Sequence, residues 1–255
     1  MPEPPAGRGG PQEIPRPSVW SPGRPAPWSG FAEELLRPGP ERVREALPAG
    51  RRGRPSPVES EGGMPSAVLI PLYEGPDGLE VVLTRRDWNL RTHRGEVSFP
   101  GGRAEPGETH AATARREAFE EVSLDPASVE TLGELDHLTT VTRRAYIVPV
   151  VALLAGRPEL HPNDGEVDAV LHVPLAELLL PEVFREERWG DEVNGRPVYF
   201  FELVGDTVWG ATAAMLRQLL CRLAGADPGG DEENDPARGA PPGFRLTPEQ
   251  ERNVV

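Results

Sequence analysis

Gly101-Gly102-Arg103-Ala104-Glu105-Pro106-Gly107-Glu108 runs directly into Thr109-His110-Ala111-Ala112-Thr113-Ala114-Arg115-Arg116-Glu117-Ala118-Phe119-Glu120-Glu121-Val122-Ser123-Leu124. The first eight residues read as a glycine-rich loop. Thr109 is a suitable N-cap, and the alanine-rich run after it predicts a helix from Thr109 to Val122. On such a helix Glu117, Glu120 and Glu121 stand at i, i+3 and i+4 and share a side. At about 100° per residue, Ala111, Ala118, Phe119 and Val122 fall mainly on the other side, with Arg115 interrupting them. Three carboxylates at this spacing repel one another. They also sit at the end of the helix where the dipole disfavours negative charge. Such a cluster is costly unless a cation offsets it. Hard divalent ions take carboxylate and carbonyl oxygens, and Gly101-Gly102 lets backbone approach a ligand closely. Together these features point to a metal held for phosphate chemistry.

Outward from this segment the pattern alternates strands and helices. Ala67–Tyr73 and Leu79–Thr84 read as a hairpin turning at Gly75-Pro76-Asp77-Gly78. Gly95–Phe99 reads as a short strand before the glycine loop. Val129–Leu138, Tyr146–Leu154, Glu166–Val173 and Val198–Val204 read as further strands, with a short helix opened by Pro174. Trp209–Leu223 reads as a closing helix, whose Leu216, Leu219, Leu220 and Leu223 form one apolar stripe. Cys221 lies beside that stripe as a buried filler. Trp209 and Gly210 read as packing at the helix start.

Fourteen of the 31 prolines fall within the first sixty residues, where apolar residues are sparse. Residues 1–62 are therefore expected to be a mostly disordered Pro/Arg/Gly-rich segment, with two short helices over 31–47 broken by Pro38-Gly39-Pro40. Residues 63–224 form the expected domain, and residues 225–255 an acidic flexible tail. Those three segments carry nine, fifteen and three Arg against eight, twenty-six and seven acids. The acidity thus sits mainly in the domain itself. That is the wrong sign for a generic nucleic-acid binder and the right one for collecting divalent cations. The single cysteine permits no intramolecular disulfide, so a reducing, cytoplasmic setting is expected. No apolar run approaches about 18 residues, and no secretory signal is visible.

Gly102, Glu108 and Arg116-Glu117-Ala118-Phe119-Glu120-Glu121-Val122-Ser123-Leu124, at their spacing, resemble the signature box of the Nudix hydrolases. One position departs: Ser123 stands where the box usually has Gly. That glycine serves the helix exit, so a local backbone adjustment is expected, with little effect on metal binding. Upstream, Leu83-Thr84-Arg85-Arg86 and the run through His93, Gly95 and Phe99-Pro100-Gly101-Gly102 resemble the coenzyme A pyrophosphatase branch. Asp87 departs modestly from that branch. The resemblance covers about residues 66–224.

It implies an α/β/α sandwich with a mixed β-sheet between the box helix and the C-terminal helix, and flexible N- and C-terminal tails. The Gly101 carbonyl, Glu117, Glu120 and Glu121 would bind Mg²⁺ or Mn²⁺. Arg116 would orient a glutamate, Glu117 is one candidate general base, and Glu166 would complete the site from a later loop. The implied reaction is hydrolysis of the diphosphate of coenzyme A to 4′-phosphopantetheine and adenosine 3′,5′-bisphosphate. Another nucleoside diphosphate derivative (ADP-ribose, a dinucleotide, an acyl-coenzyme A) and a non-catalytic nucleotide sensor stand as alternatives. Arg86 leads the substrate candidates, followed by Arg85, His93 and Arg103. His93 reads as readily as a hydrogen bonder that orients its loop. The implied partner is a small nucleotide, with no nucleic acid or membrane involved, and a homodimer is left open.

Overall fold

Every second side chain of the central strands points to one of two hydrophobic clusters, and this alternation sets the layers. The structure, a computed structural model, describes residues 7–31, 37–140, 143–191 and 195–226. In chain order the strands are β1 (Trp20–Pro22), β2 (Met64–Gly75), β3 (Gly78–Arg86), β4 (Val97–Ser98), β5 (Gly101–Arg103) and β6 (Val129–Glu134). Then come β7 (Leu138–Thr139), β8 (Ala145–Leu154), β9 (Val167–Pro174), β10 (Phe184–Trp189), β11 (Arg196–Glu202) and β12 (Thr207–Trp209). The helices are α1 (Pro40–Ala46), α2 (Pro57–Ser60), α3 (His110–Val122), α4 (Leu175–Leu178) and α5 (Gly210–Ala224).

The main sheet runs β4-β3-β2-β8-β6, with β5 on β2, β7 on β8 and β9 on β3. β2 and β8 pair in parallel and the remaining pairs are antiparallel, so the sheet is mixed. Ala67, Leu69 and Tyr73 of β2 join Val82, Val148, Val150 and Ala152 beneath Ala114, Ala118 and Val122 of α3. Ile70 and Leu72 join Val81, Leu83, Val151 and Leu153 beneath Leu216, Leu219 and Leu220 of α5. With both faces covered, β8 reads as an almost unbroken apolar run, Tyr146 to Leu154. The sandwich expected from the sequence is thus present, and Cys221 is buried as expected. Among the described residues no helix is long and apolar enough to cross a membrane.

Two expectations are corrected. Residues 7–31 and 37–62 are not a loose tail but part of the packed body. Trp28 is 1% exposed. Its ring stacks on Phe201 and meets the edge of Phe184, and its Nε1 donates to the Leu179 carbonyl at 3.0 Å. Val43 and Leu47 are fully buried in the α5-side core. A few large anchors thus supply the apolar area that average composition failed to show, and proline lowers the entropy lost on ordering. Residues 32–36 of the expected helix pair and residues 227–255 of the acidic tail lie outside the described residues.

The second correction is a second, antiparallel sheet, β1-β10-β11-β12. Of its four strands only β11 was expected. Its strands bury charge: Glu187 and Glu202 are 1% and 2% exposed. Arg16 Nε bonds Glu187 at 2.8 Å and Arg185 Nε bonds Glu202 at 2.7 Å. Paired buried charges break the apolar alternation by which strands are read from sequence.

Candidate active site

α3 starts and ends as its residues dictate. The Thr109 hydroxyl accepts the Ala112 N–H at 3.2 Å, an N-cap bond that satisfies a free helix donor. At the other end Ser123 takes left-handed angles, φ 58° and ψ 28°. The Leu124 N–H reaches back to the Ala118 carbonyl at 3.2 Å, closing a Schellman exit. The adjustment expected for Ser123 is therefore what the backbone shows. Two exit carbonyls are taken by the loop ahead of β9: His161 N–H donates to Val122 at 3.0 Å and Asn163 N–H to Glu121 at 2.8 Å. The loop carrying Glu166 is thus pinned to the end of the helix carrying the glutamates.

The three glutamates do not share one environment. Glu117 lies against the glycine loop, and a methyl group on Gly102 would come within 2.5 Å of its Oε1. Glu120 is exposed. Glu121 is buried, at 8%. Phe119, expected on the packed face, is 54% exposed. The angles explain the exchange. Taking Ala118 as the centre of the packed side, Glu121 stands about 60° away and Phe119 about 100°.

Burial governs the electrostatics. It pushes the Glu121 carboxyl up to about 7; Arg86 and a hydrogen bond from the Gly101 N–H oppose the rise, and the charges of Glu117 and Glu166 add to it. Glu117 is also raised, by burial first, against the pull of Arg116. Arg116 gathers the cluster. Its Nε and Nη2 bond Glu108 at 2.9 and 3.1 Å, Nη1 bonds Glu117 and Glu120 at 2.9 Å each, and Nη2 also reaches the Arg103 carbonyl at 3.0 Å. Arg116 holds the Glu108 carboxyl down at about 2, with help from the Glu105 N–H and Thr113. Glu108 was not singled out as a site residue in the sequence. Its separation from Arg116 was the available signal, since the guanidinium needs an anchor before it can orient Glu117.

The expected substrate residues part company. Arg86 lies on the α3 side with its charge felt by Glu121, and its Nε is buried with no hydrogen-bond partner among the described residues. Arg85, one residue earlier, is bound to Asp168 at 2.7 Å and Asp206 at 2.8 Å. It braces β3 against β9 and the β11–β12 turn. His93 bonds Glu96 at 2.8 Å from a left-handed backbone, the loop-ordering contact. Arg103 is exposed and contributes its carbonyl to Arg116. The structure therefore gathers Gly101, Gly102, Arg116, Glu117, Glu120, Glu121, Arg86 and Glu166, and leaves Arg85 outside.

A buried carboxylate with two acidic neighbours, Glu117 and Glu166, is a fit for a hard divalent cation. That ion would offset the burial penalty on the charged Glu121 carboxylate, the main cause of its raised value, and the lesser repulsion from Glu117 and Glu166.

Residues 63–192 match the NUDIX domain family. The chain is 41% identical over 159 residues to Nudix hydrolase 22, chloroplastic, of Arabidopsis thaliana, covering 59% of this chain and 52% of that protein. It is 40% identical over 161 residues to Nudix hydrolase 15, mitochondrial, of the same plant, covering 59% and 55%. It is 37% identical over 162 residues to an uncharacterized Nudix hydrolase NudL of Photorhabdus laumondii, covering 63% and 85%. The chain spans about half the length of the plant relatives.

Proposed function

The chain belongs to the NUDIX domain family, and we propose that it is a pyrophosphohydrolase that cleaves the diphosphate of coenzyme A or its derivatives into 4′-phosphopantetheine and adenosine 3′,5′-bisphosphate. The observation that carries the reaction class is the buried Glu121 carboxyl, pushed up to about 7 with Glu117 and Glu166 at hand. That arrangement destabilises the chain by itself and gains its purpose with a cation.

Glu117, Glu120, Glu121 and the Gly101 carbonyl would hold Mg²⁺ or Mn²⁺. Bound there, the metal supplies charge to the phosphoryl oxygens and lowers the pKa of a water. The chain's own residues do the rest. Arg116 fixes Glu117 and Glu120 by one guanidinium group. Glu117, held against Gly102, accepts the proton of the attacking water. Glu166 adds a carboxylate from the pinned loop.

Arg86 supports the choice of substrate. Its partly unsatisfied guanidinium suits a phosphate oxygen, and it lies in the segment resembling the coenzyme A branch. Arg85, committed to two carboxylates, is a brace in this reading rather than a substrate contact.

The test is a panel: coenzyme A, ADP-ribose and a dinucleoside polyphosphate, each with Mg²⁺ and with Mn²⁺, products separated by ion exchange. Both named products from coenzyme A are expected. Products from ADP-ribose alone would overturn the substrate, and no product from any diphosphate would overturn the reaction.

A further inference from the structure

Three residues at the opposite end of α3 converge without any part in that chemistry. His110 is the first residue of α3, Glu134 the last of β6, and His137 lies in the turn before β7. His110 Nδ1 is 3.1 Å from Glu134 Oε1, and His137 Nε2 is 3.3 Å from Glu134 Oε2. One ligating atom from each residue falls within 4.8 Å of the others. The side chains are 15%, 11% and 2% exposed for His110, Glu134 and His137. Glu59 of α2 holds His137 Nδ1 at 3.0 Å. A proton on Nδ1 therefore leaves the Nε2 lone pair facing Glu134, the carboxylate–histidine support found behind metal ligands. Tyr146 stacks on the His137 ring and meets His110 edge-on, walling the site.

We propose that His110, Glu134 and His137 form a second metal site, for a divalent ion of the zinc class, separate from the glutamates that serve the diphosphate. The seven residues from His110 to Glu117 place the two sites about 10 Å apart along the helix. Two imidazoles and one carboxylate suit zinc and its first-row neighbours, whereas Mg²⁺ takes oxygen ligands. Bonds of about 2.0–2.1 Å at tetrahedral angles put neighbouring ligand atoms about 3.3 Å apart. The His137–Glu134 distance already has that value, and it is longer than the about 2.7–2.9 Å of a charge-assisted hydrogen bond. Arg52 also approaches Glu134 Oε2, at 3.2 Å, but its side chain is 71% exposed and can swing to solvent as a cation enters. The Gly53 N–H stays on the same oxygen at 3.4 Å. A metal here would tie α3, at the end remote from its glutamates, to β6 and the turn that follows.

The experiment uses the full chain, stripped with chelator and titrated with Zn²⁺ in excess Mg²⁺, with Co²⁺ as an optical probe. One equivalent of Zn²⁺ is expected, with a rise in melting temperature and visible Co²⁺ bands. Glu134→Gln and His110→Ala should each weaken Zn²⁺ binding roughly tenfold or more, while Glu120→Gln leaves it unchanged. His137 is buried, so its replacement would test folding as much as binding. His110→Ala, with circular dichroism matching the parent, keeps the two apart. An unchanged Zn²⁺ dissociation constant in either the Glu134→Gln or the His110→Ala variant, or a weakened one in Glu120→Gln, overturns the site.

Discussion

Replacing Glu121 by Gln should stabilise the metal-free protein while disabling it. Burial raises this carboxyl from the ordinary 4.5 to about 7. A folded-state value above the unfolded one means that the folded chain holds the proton more tightly. Its contribution to stability is fully present below about pH 4.5 and is lost as pH rises through about 7. At about 1.4 kcal/mol per pH unit, the charged form costs the fold about 3 kcal/mol in mildly alkaline solution. Gln is neutral at every pH and can still accept the Gly101 N–H. Arg86 loses its charged partner, which trims the expected gain to about 2–3 kcal/mol. Urea unfolding with chelator present measures it. At about pH 8 the variant's midpoint should lie about 1 M above the parent's, and at about pH 5 the two should nearly coincide. Saturating Mg²⁺ should then stabilise the parent by a few kcal/mol and leave the variant unmoved. A variant less stable than the parent at about pH 8 in chelator, or a difference independent of pH, would refute the reasoning.

Gly102→Ala puts a methyl within 2.5 Å of Glu117 Oε1; turnover should fall about 10²-fold with the circular dichroism unchanged. Ser123→Gly relieves a left-handed backbone at φ 58° and should add about 1 kcal/mol in thermal melts with activity retained. Trp28→Ala removes a ring that is 1% exposed and should cost about 3–5 kcal/mol; an unchanged melt would return the N-terminal segment to an appendage. Arg86→Ala should raise KM for coenzyme A roughly tenfold with little loss of stability, whereas Arg85→Ala should lower the melting temperature first.

Local rules account for the parts of this fold that were readable from the sequence. The Thr109 cap, the hairpin turning between Gly75 and Gly78, and the apolar runs of β2, β3 and β8 each announce themselves within a few residues. The two-faced burial of β8 even tells that helices cover both sides. What stayed hidden depends on partners far along the chain. β10 carries Arg185, Glu186, Glu187 and Arg188 among its six residues, and partners elsewhere in the chain, among them Arg16 on Glu187, Glu202 on Arg185 and the Gly195 carbonyl on Arg188, make such a strand buriable. Trp28 looked like one aromatic among prolines until Phe184 and Phe201 supplied its pocket. Within α3 a helical wheel placed the glutamates together, but the exact angle decided that Glu121 is buried and Phe119 is exposed. The His110, Glu134 and His137 cluster comes from three elements, with no spacing that a linear reading would link.

The division between Arg85 and Arg86 connects these hidden parts to the site. Consecutive strand residues face opposite sides of a sheet, and a register shift falls between these two. Arg86 goes to the α3 side and Arg85 to the side of the second sheet. There Asp206 binds Arg85 through Oδ2 and accepts Gln12 Nε2 through Oδ1 at 2.7 Å. The same Gln12 nitrogen reaches the Gly95 carbonyl at 3.0 Å, and its Oε1 takes the Thr207 N–H at 2.8 Å. Gln12 thus joins the N-terminal segment to the β11–β12 turn and to the loop just ahead of β4. Both the strand end that presents Arg86 and the loop that holds His93 are braced by residues outside 63–192. If Arg86 is the proposed phosphate contact, this bracing would make it a fixed donor instead of a mobile surface charge, so less entropy would be lost on meeting a phosphate. In the proposed reading the N-terminal segment and the second sheet would act on substrate recognition through position, while the charge that would draw a metal comes from the α3 glutamates, tuned by Arg86, the Gly101 N–H and Glu166.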